Sequence, residues 1–168
     1  MNVFDKCQKI EYQGYLLLQP YLKANFDEYV YVNTEERNEL VLAFQQNFGD
    51  LIAKRNNRIY FIDIKTEIDN KYGNLFLETW SNKQRNTPGW FMPDRGVKAD
   101  FVYYLFLEQR KLYILDLPKT REWAFDHNHI NEYSEKRQKK YDQLNDTWGR
   151  CVPIRDLLNE TPCFVVDL

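Results

Sequence analysis

Asp50 closes the run Asn47-Phe48-Gly49-Asp50, and Asp63 and Lys65 stand two residues apart in Ile59-Tyr60-Phe61-Ile62-Asp63-Ile64-Lys65-Thr66. A charged pair set into an apolar strand is costly to half-bury, so such charges serve a metal, a partner or a reaction. Strand side chains alternate faces, so Ile59, Phe61, Asp63 and Lys65 share one face and Tyr60, Ile62, Ile64 and Thr66 the other. A turn at Arg55-Asn56-Asn57 would fold the preceding strand back and bring Asp50 beside Asp63. Two adjacent carboxylates raise one another's pKa unless a cation lies between them. Their oxygen donors suit Mg²⁺, with Mn²⁺ as a substitute, and such ions recruit phosphate oxygens. Lys65, on the same face as Asp63, could orient a water or hold a phosphate.

The elements that must position these groups can be read around them. Residues 3–24 have helical apolar spacing at Phe4, Cys7, Ile10, Leu17 and Leu18, with Pro20 disturbing the end. A second helix is expected over 34–47, capped by Asn33 or Thr34, with Glu35 and Glu36 in its first turn. Leu40, Val41, Phe44 and Phe48 would form its core stripe. Strands are expected at 51–54, 58–66, 75–80, 99–107 and 111–117, the last two joined around Glu108-Gln109-Arg110. Residues 81–98 are polar and carry Pro88-Gly89 and Pro93, marks of a long functional or mobile loop. A charged helix is expected over 131–144, followed by short apolar pieces at Cys151–Ile154 and Cys163–Val166. The pattern predicts one α/β (α+β mixed) domain over 1–168. Its central mixed sheet would have about five strands flanked by helices. The core would span about 34–117, between an N-terminal helical segment, 1–33, and a C-terminal helix with short strands, 118–168.

Composition narrows the function classes. A chain of 168 residues with 12 Tyr, 11 Phe and 4 Trp can bury one sizeable core. The formal charge of -2 excludes a general polyanion binder, so contact with nucleic acid would need local basic patches or bound metal ions. No apolar run reaches the roughly 18 residues of a membrane span, and the start lacks the pattern of a signal peptide. Cys7, Cys151 and Cys163 match no zinc or disulfide pattern, and free thiols in a reducing cytoplasm are expected. There is no GxxxxGK[ST] loop.

The acid at the head of a hairpin, followed by Asp63-Ile64-Lys65 and preceded by an acidic helix, resembles the PD-(D/E)XK nuclease superfamily, over about Thr34 to Leu117. Gly49 stands where that family's name-giving proline would be. The resemblance implies a restriction-endonuclease-like fold and Mg²⁺-dependent phosphodiester hydrolysis in nucleic acid, most simply an endonuclease acting on DNA. It implies catalytic and metal-binding roles for Asp50 and Asp63, a backbone-carbonyl ligand at Ile64, and Lys65 as the group orienting or activating water. It also implies a glutamate from the preceding helix among the ligands, with Glu39 the first choice and Glu36 the second. Glu67 and Glu78 are further acids that could approach the site.

Lys83, Arg85, Trp90, Arg95 and Lys98 in the long loop are the candidate substrate contacts, because basic groups bind phosphates and aromatics stack on exposed bases. Lys136, Arg137, Lys139 and Lys140 form a second basic stretch. His127-Asn128-His129 lacks the surroundings of a metal finger and reads as a cap or surface segment. Cutting both strands of a duplex would call for a homodimer or two nicking events. An inactive nucleic-acid-binding or regulatory module on the same fold is the alternative, and an unrelated α+β interaction protein with an accidental Asp-x-Lys a third reading.

Overall fold

The computed structural model describes residues 3–32, 38–138 and 145–168; of the side chains at 3–8, Cys7 included, nothing is said. Helix α1, Val3–Asn25, comes first. Leu18 and Leu22 on one of its faces are wholly buried, and this packing carries the helix past Pro20, whose ring removes one backbone hydrogen bond. Strand β1, Glu28–Tyr31, follows, where no strand was expected. Helix α2 occupies Glu39–Phe48 and is capped by the Asn38 side chain, which accepts from the Leu40 N–H. It therefore starts five residues later than the sequence suggests. Asn33, Thr34, Glu35 and Glu36 lie outside the described residues.

The expected apolar stripe of α2 is also corrected. Leu40 is 80% exposed, and no residue of the helix is buried. Phe44 and Phe48 instead pack against Phe61, with ring centroids 5.9 and 5.2 Å away.

Strands β2, Leu51–Arg55, and β3, Arg58–Glu67, form the expected hairpin. Asn56 and Asn57 both take positive φ, 52° and 61°, the geometry of the tight turn that matches strand twist. Strands β4, Asn74–Asn82, and β5, Thr87–Pro88, come next, then β6, Phe101–Phe106, and β7, Lys111–Asp116. Helix α3, Leu117–Arg121, runs into a wider turn at Glu122–Asp126 and a short tight one at His129–Glu132. Strands β8, Glu135–Arg137, and β9, Trp148–Pro153, helix α4, Ile154–Glu160, and strand β10, Cys163–Asp167, complete the order.

These strands make two sheets, where about five strands in one sheet were expected. The larger has the order β1-β2-β3-β6-β7-β10, and the smaller β5-β4-β9-β8. The β3–β6 pair is parallel, and the other pairs of the larger sheet are antiparallel, so that sheet is mixed. Its outer strands come from residues 28–31 and 163–167, beyond the expected 34–117 core. The expected helix over 131–144 is replaced, in its described part, by the end of the 129–132 turn and by β8, which pairs with β9. Residues 139–144, including Lys139 and Lys140, lie outside the description.

The larger sheet separates two apolar cores. On one face α1 lays Leu18 and Leu22 against Ile62, Ile64, Tyr103, Leu105 and Ile114. On the other, Val102, Tyr104 and Leu115 meet Leu75, Leu77 and Val152 of the smaller sheet, with Leu117 and Leu157. The Asp63 face of β3 looks into the second of these layers.

Candidate active site at the uncovered edge of β3

β2 begins at Leu51, paired with Ile62, so among the described residues the remainder of β3 has no strand on that side. Asp50 fills the first place along this edge. Its N–H donates to the Ile62 carbonyl at 3.0 Å, Oδ2 accepts from the Ile64 N–H at 2.8 Å, and Oδ1 accepts from Gln45 Nε2 at 2.6 Å. A strand residue points its N–H and C=O to the same side, so the Ile64 carbonyl faces the same uncovered edge as Asp50. Gly49 explains why no proline precedes Asp50. Its φ is +99°, which proline cannot adopt, and a Cβ there would lie 2.7 Å from the Ile62 carbonyl oxygen.

Asp63 is 5% exposed, and its Oδ2 lies 2.8 Å from Lys65 Nζ. Oδ2 is buried, and the Lys65 ammonium is the charged partner facing it. Burial pushes the Asp63 carboxyl up to about 6, with Lys65 opposing and Asp50 adding to the rise. For Lys65, burial pulls the pKa down, but Asp63 and Asp50 outweigh it and hold the ammonium well above its ordinary range.

Two further acids face the same lysine. Glu78 on β4 is pushed up to about 7 by burial, against the pull of Lys65 and the Trp90 N–H, while the Asp63 charge adds to the rise. It reaches the site across the gap between the sheets, since β4 does not pair with β3, and a bulge lies between Glu78 and Trp80. Glu11 on α1 is raised by burial among its neighbours and by Asp50, with Lys65 opposing, although it still reaches solvent. Its helix passes β3 closely, since a Cβ on Gly14 would lie 2.2 Å from Thr66 Oγ1.

The Trp90 ring stands 5.9 Å from Lys65 Nζ. Arg121 of α3 fixes the loop carrying it by donating to the carbonyls of Trp90, Phe91 and Val97. Burial lowers the Arg121 pKa to about 10, with Asp63 opposing.

Of the residues expected from sequence, the structure brings together Asp50, Asp63, Ile64, Lys65, Glu78 and Trp90. Glu39 is not among them. It begins the helix that Phe48 ends, about 14 Å away along the axis at 1.5 Å per residue, on the far side from Asp50. Glu67 accepts a hydrogen bond from the Tyr104 hydroxyl. Lys83 pairs with Glu135 at 2.5 Å and lies over the Trp148 ring. Arg95 lies over the Trp80 ring, 5.8 Å from its centre. Arg85 and Lys98 are exposed, and the Lys98 backbone N–H donates to Asn47. The loop is less open than expected, because Phe91 is fully buried. Arg137 pairs with Asp146, and His129 stacks on Trp123 and pairs with Glu132.

Glu11, Gln45 and Arg121 were not singled out from sequence. Glu11 had a usable signal: Glu11, Gly14, Leu18 and Leu22 fall on one helical stripe, so an acid stands on a face otherwise small or apolar.

Among the described residues, no three His, Cys, Asp or Glu side chains gather closely enough to cage a metal ion by themselves. The arrangement offers two carboxylates, one of them buried against the Lys65 ammonium, beside a carbonyl-bearing edge. That donor set fits Mg²⁺, which keeps several waters and takes one or two carboxylates. Comparison with protein-family models, curated proteins and solved structures finds no match for this chain.

Proposed function

We propose that this chain is a Mg²⁺-dependent nuclease that hydrolyses phosphodiester bonds in DNA, with endonucleolytic cutting favoured, on a restriction-endonuclease-like fold. The observation that carries this reading is Asp50 beside Asp63 at the uncovered edge of β3, with Lys65 Nζ 2.8 Å from Asp63. The α1 helix against a mixed sheet, the β2–β3 hairpin and the parallel β6 support the fold assignment.

Asp50, Asp63 and the Ile64 carbonyl hold the ion, with Mn²⁺ as a substitute. When bound, it supplies charge neutralisation and activation of water. Lys65 orients the attacking water and shields the phosphate, its ammonium kept charged by Asp50 and Asp63. Glu11, at the open side, faces incoming solvent. Trp90 and Arg95 offer a ring and a cation to the substrate. Cutting both strands of a duplex needs two such sites, hence a homodimer or successive nicks. The free Cys151 and Cys163 thiols suit a reducing compartment such as the cytoplasm.

The test is incubation of the purified protein with plasmid, single-stranded DNA and RNA, in Mg²⁺, Mn²⁺ or EDTA. Cutting is expected with either metal and none in EDTA. Asp63→Asn and Lys65→Ala should each lower the rate by about 100-fold or more, with the melting curve retained. Cutting that survives both substitutions overturns the assignment. The close Asp63–Lys65 pair also suits a second reading, an inactive nucleic-acid-binding module, which DNA binding without cutting in any metal would support.

A further inference from the structure

On the opposite face of the larger sheet from Asp63 and Lys65 lies a half-open pocket of about 270 Å³. Its walls are the rings of Tyr21, Phe26, Tyr60, Phe101 and Tyr103, with Arg55 at its rim. That volume falls just below the usual range of ligand sites, about 300–1,000 Å³, and suits a single flat ring system. The rings already contact one another, Phe26 and Phe101 each meeting Tyr60 with centroids 6.3 and 5.8 Å apart, and Tyr21 meeting Tyr103 at 6.1 Å.

The pocket has a polar floor and a cationic rim. The Tyr21 and Tyr103 hydroxyls interact with each other, and both feel the Arg55 charge. Among the described residues Arg55 has no carboxylate within ion-pair distance, and Arg58 is occupied only by the Tyr60 ring, 4.9 Å away. The nearby Asp27 carboxylate accepts the Asn56 N–H. The Arg55 guanidinium therefore lines an aromatic pocket with no carboxylate within ion-pair distance of it among the described residues. Arg guanidinium is the side chain best matched to phosphate.

We propose that this pocket binds one nucleotide, its base stacked among Tyr60, Phe101 and Phe26 and its phosphate on Arg55. The base edge meets the Tyr21 and Tyr103 hydroxyls. The nucleotide is either free or an unpaired residue of a single strand, and the same chemistry serves both.

The experiment uses the whole protein in EDTA, so that it does not depend on whether the chain cuts nucleic acid. A labelled single-stranded oligonucleotide is followed by fluorescence anisotropy, and deoxyadenosine monophosphate by saturation-transfer NMR. Binding is expected, with Arg55→Gln and Tyr60→Leu each weakening it by about tenfold. Arg55 is exposed, so Arg55→Gln should fold even if Tyr60→Leu does not. Oligonucleotide binding with that loss identifies a single-strand site, and binding of the monophosphate alone identifies a free-nucleotide site. No binding of either probe, or unchanged affinity in Arg55→Gln, overturns the proposal, and neither result bears on cutting at Asp63.

Discussion

Lys65 faces a surplus of negative charge from Asp50, Asp63 and Glu78, and its influence reaches Glu11. Without a bound cation, folding must hold some of these carboxyls neutral, which gives a pH signature. Glu78 has its ordinary value of 4.5 raised to about 7 in the folded protein. The native state therefore binds more protons than the unfolded chain between those values. The contribution is fully present below about 4.5 and is lost as pH rises through about 7. Asp63 behaves in the same sense between 3.8 and about 6. In EDTA, Glu78→Gln should melt higher than wild type near pH 8, by the equivalent of about 1–3 kcal/mol, with the difference closing towards pH 5. Parallel melting profiles for the two proteins would count against a strained Glu78. Mg²⁺ should raise the wild-type melt under the same alkaline conditions, by about 2.7 kcal/mol at a hundredfold excess over Kd.

At the scale of elements, α1 is held to β3 at one tight crossing. A Cβ on Gly14 would lie 2.2 Å from Thr66 Oγ1 and 2.9 Å from Cγ2. In an open helix Gly→Ala stabilises by about 1 kcal/mol, but a clash in a packed contact costs about 1–3 kcal/mol. Gly14→Ala should therefore destabilise the wild type. In a Thr66→Ala background those two atoms are gone, and because Thr66 Oγ1 is buried without a partner its removal costs little. A double-mutant cycle by chemical denaturation should show the penalty shrinking or reversing, whereas additive effects would exclude the crossing as its cause. The hairpin around Asn56-Asn57 was legible because its turn and alternation are local signals, and with it came Asp50, Asp63 and Lys65. Glu39 was misplaced because helical periodicity gives faces but not where a helix begins, and Asn38 set the start of α2 later. Arg121 was invisible, since its partners are backbone carbonyls more than twenty residues away.

For the whole molecule, the second sheet was the least legible part. β4 pairs with β9, some seventy residues later, and nothing in either strand's alternation names its partner. Charges at Glu135, Lys136 and Arg137 read as a helix face but pair as an edge strand. The loop over 81–98 read as mobile because it is polar, yet Phe91 plugs it into the core between the sheets. Phe91→Ala should cost about 3–5 kcal/mol in urea unfolding, and a loss below about 1 kcal/mol would mean that the loop is not anchored.

The distant pairing of β4 also bears on how the protein is made. Asp50, Asp63 and Lys65 are made before the partners of these strands: the sheet that presents Glu78 to them waits for residues 148–153, and the larger sheet is closed only by 163–167. An interrupted translation product thus carries the signature residues with neither sheet complete, and long-range strand pairing is slow to form. For a nuclease of the kind proposed, activity would wait until residues 148–153 and 163–167 have been made, since both sheets are paired only then.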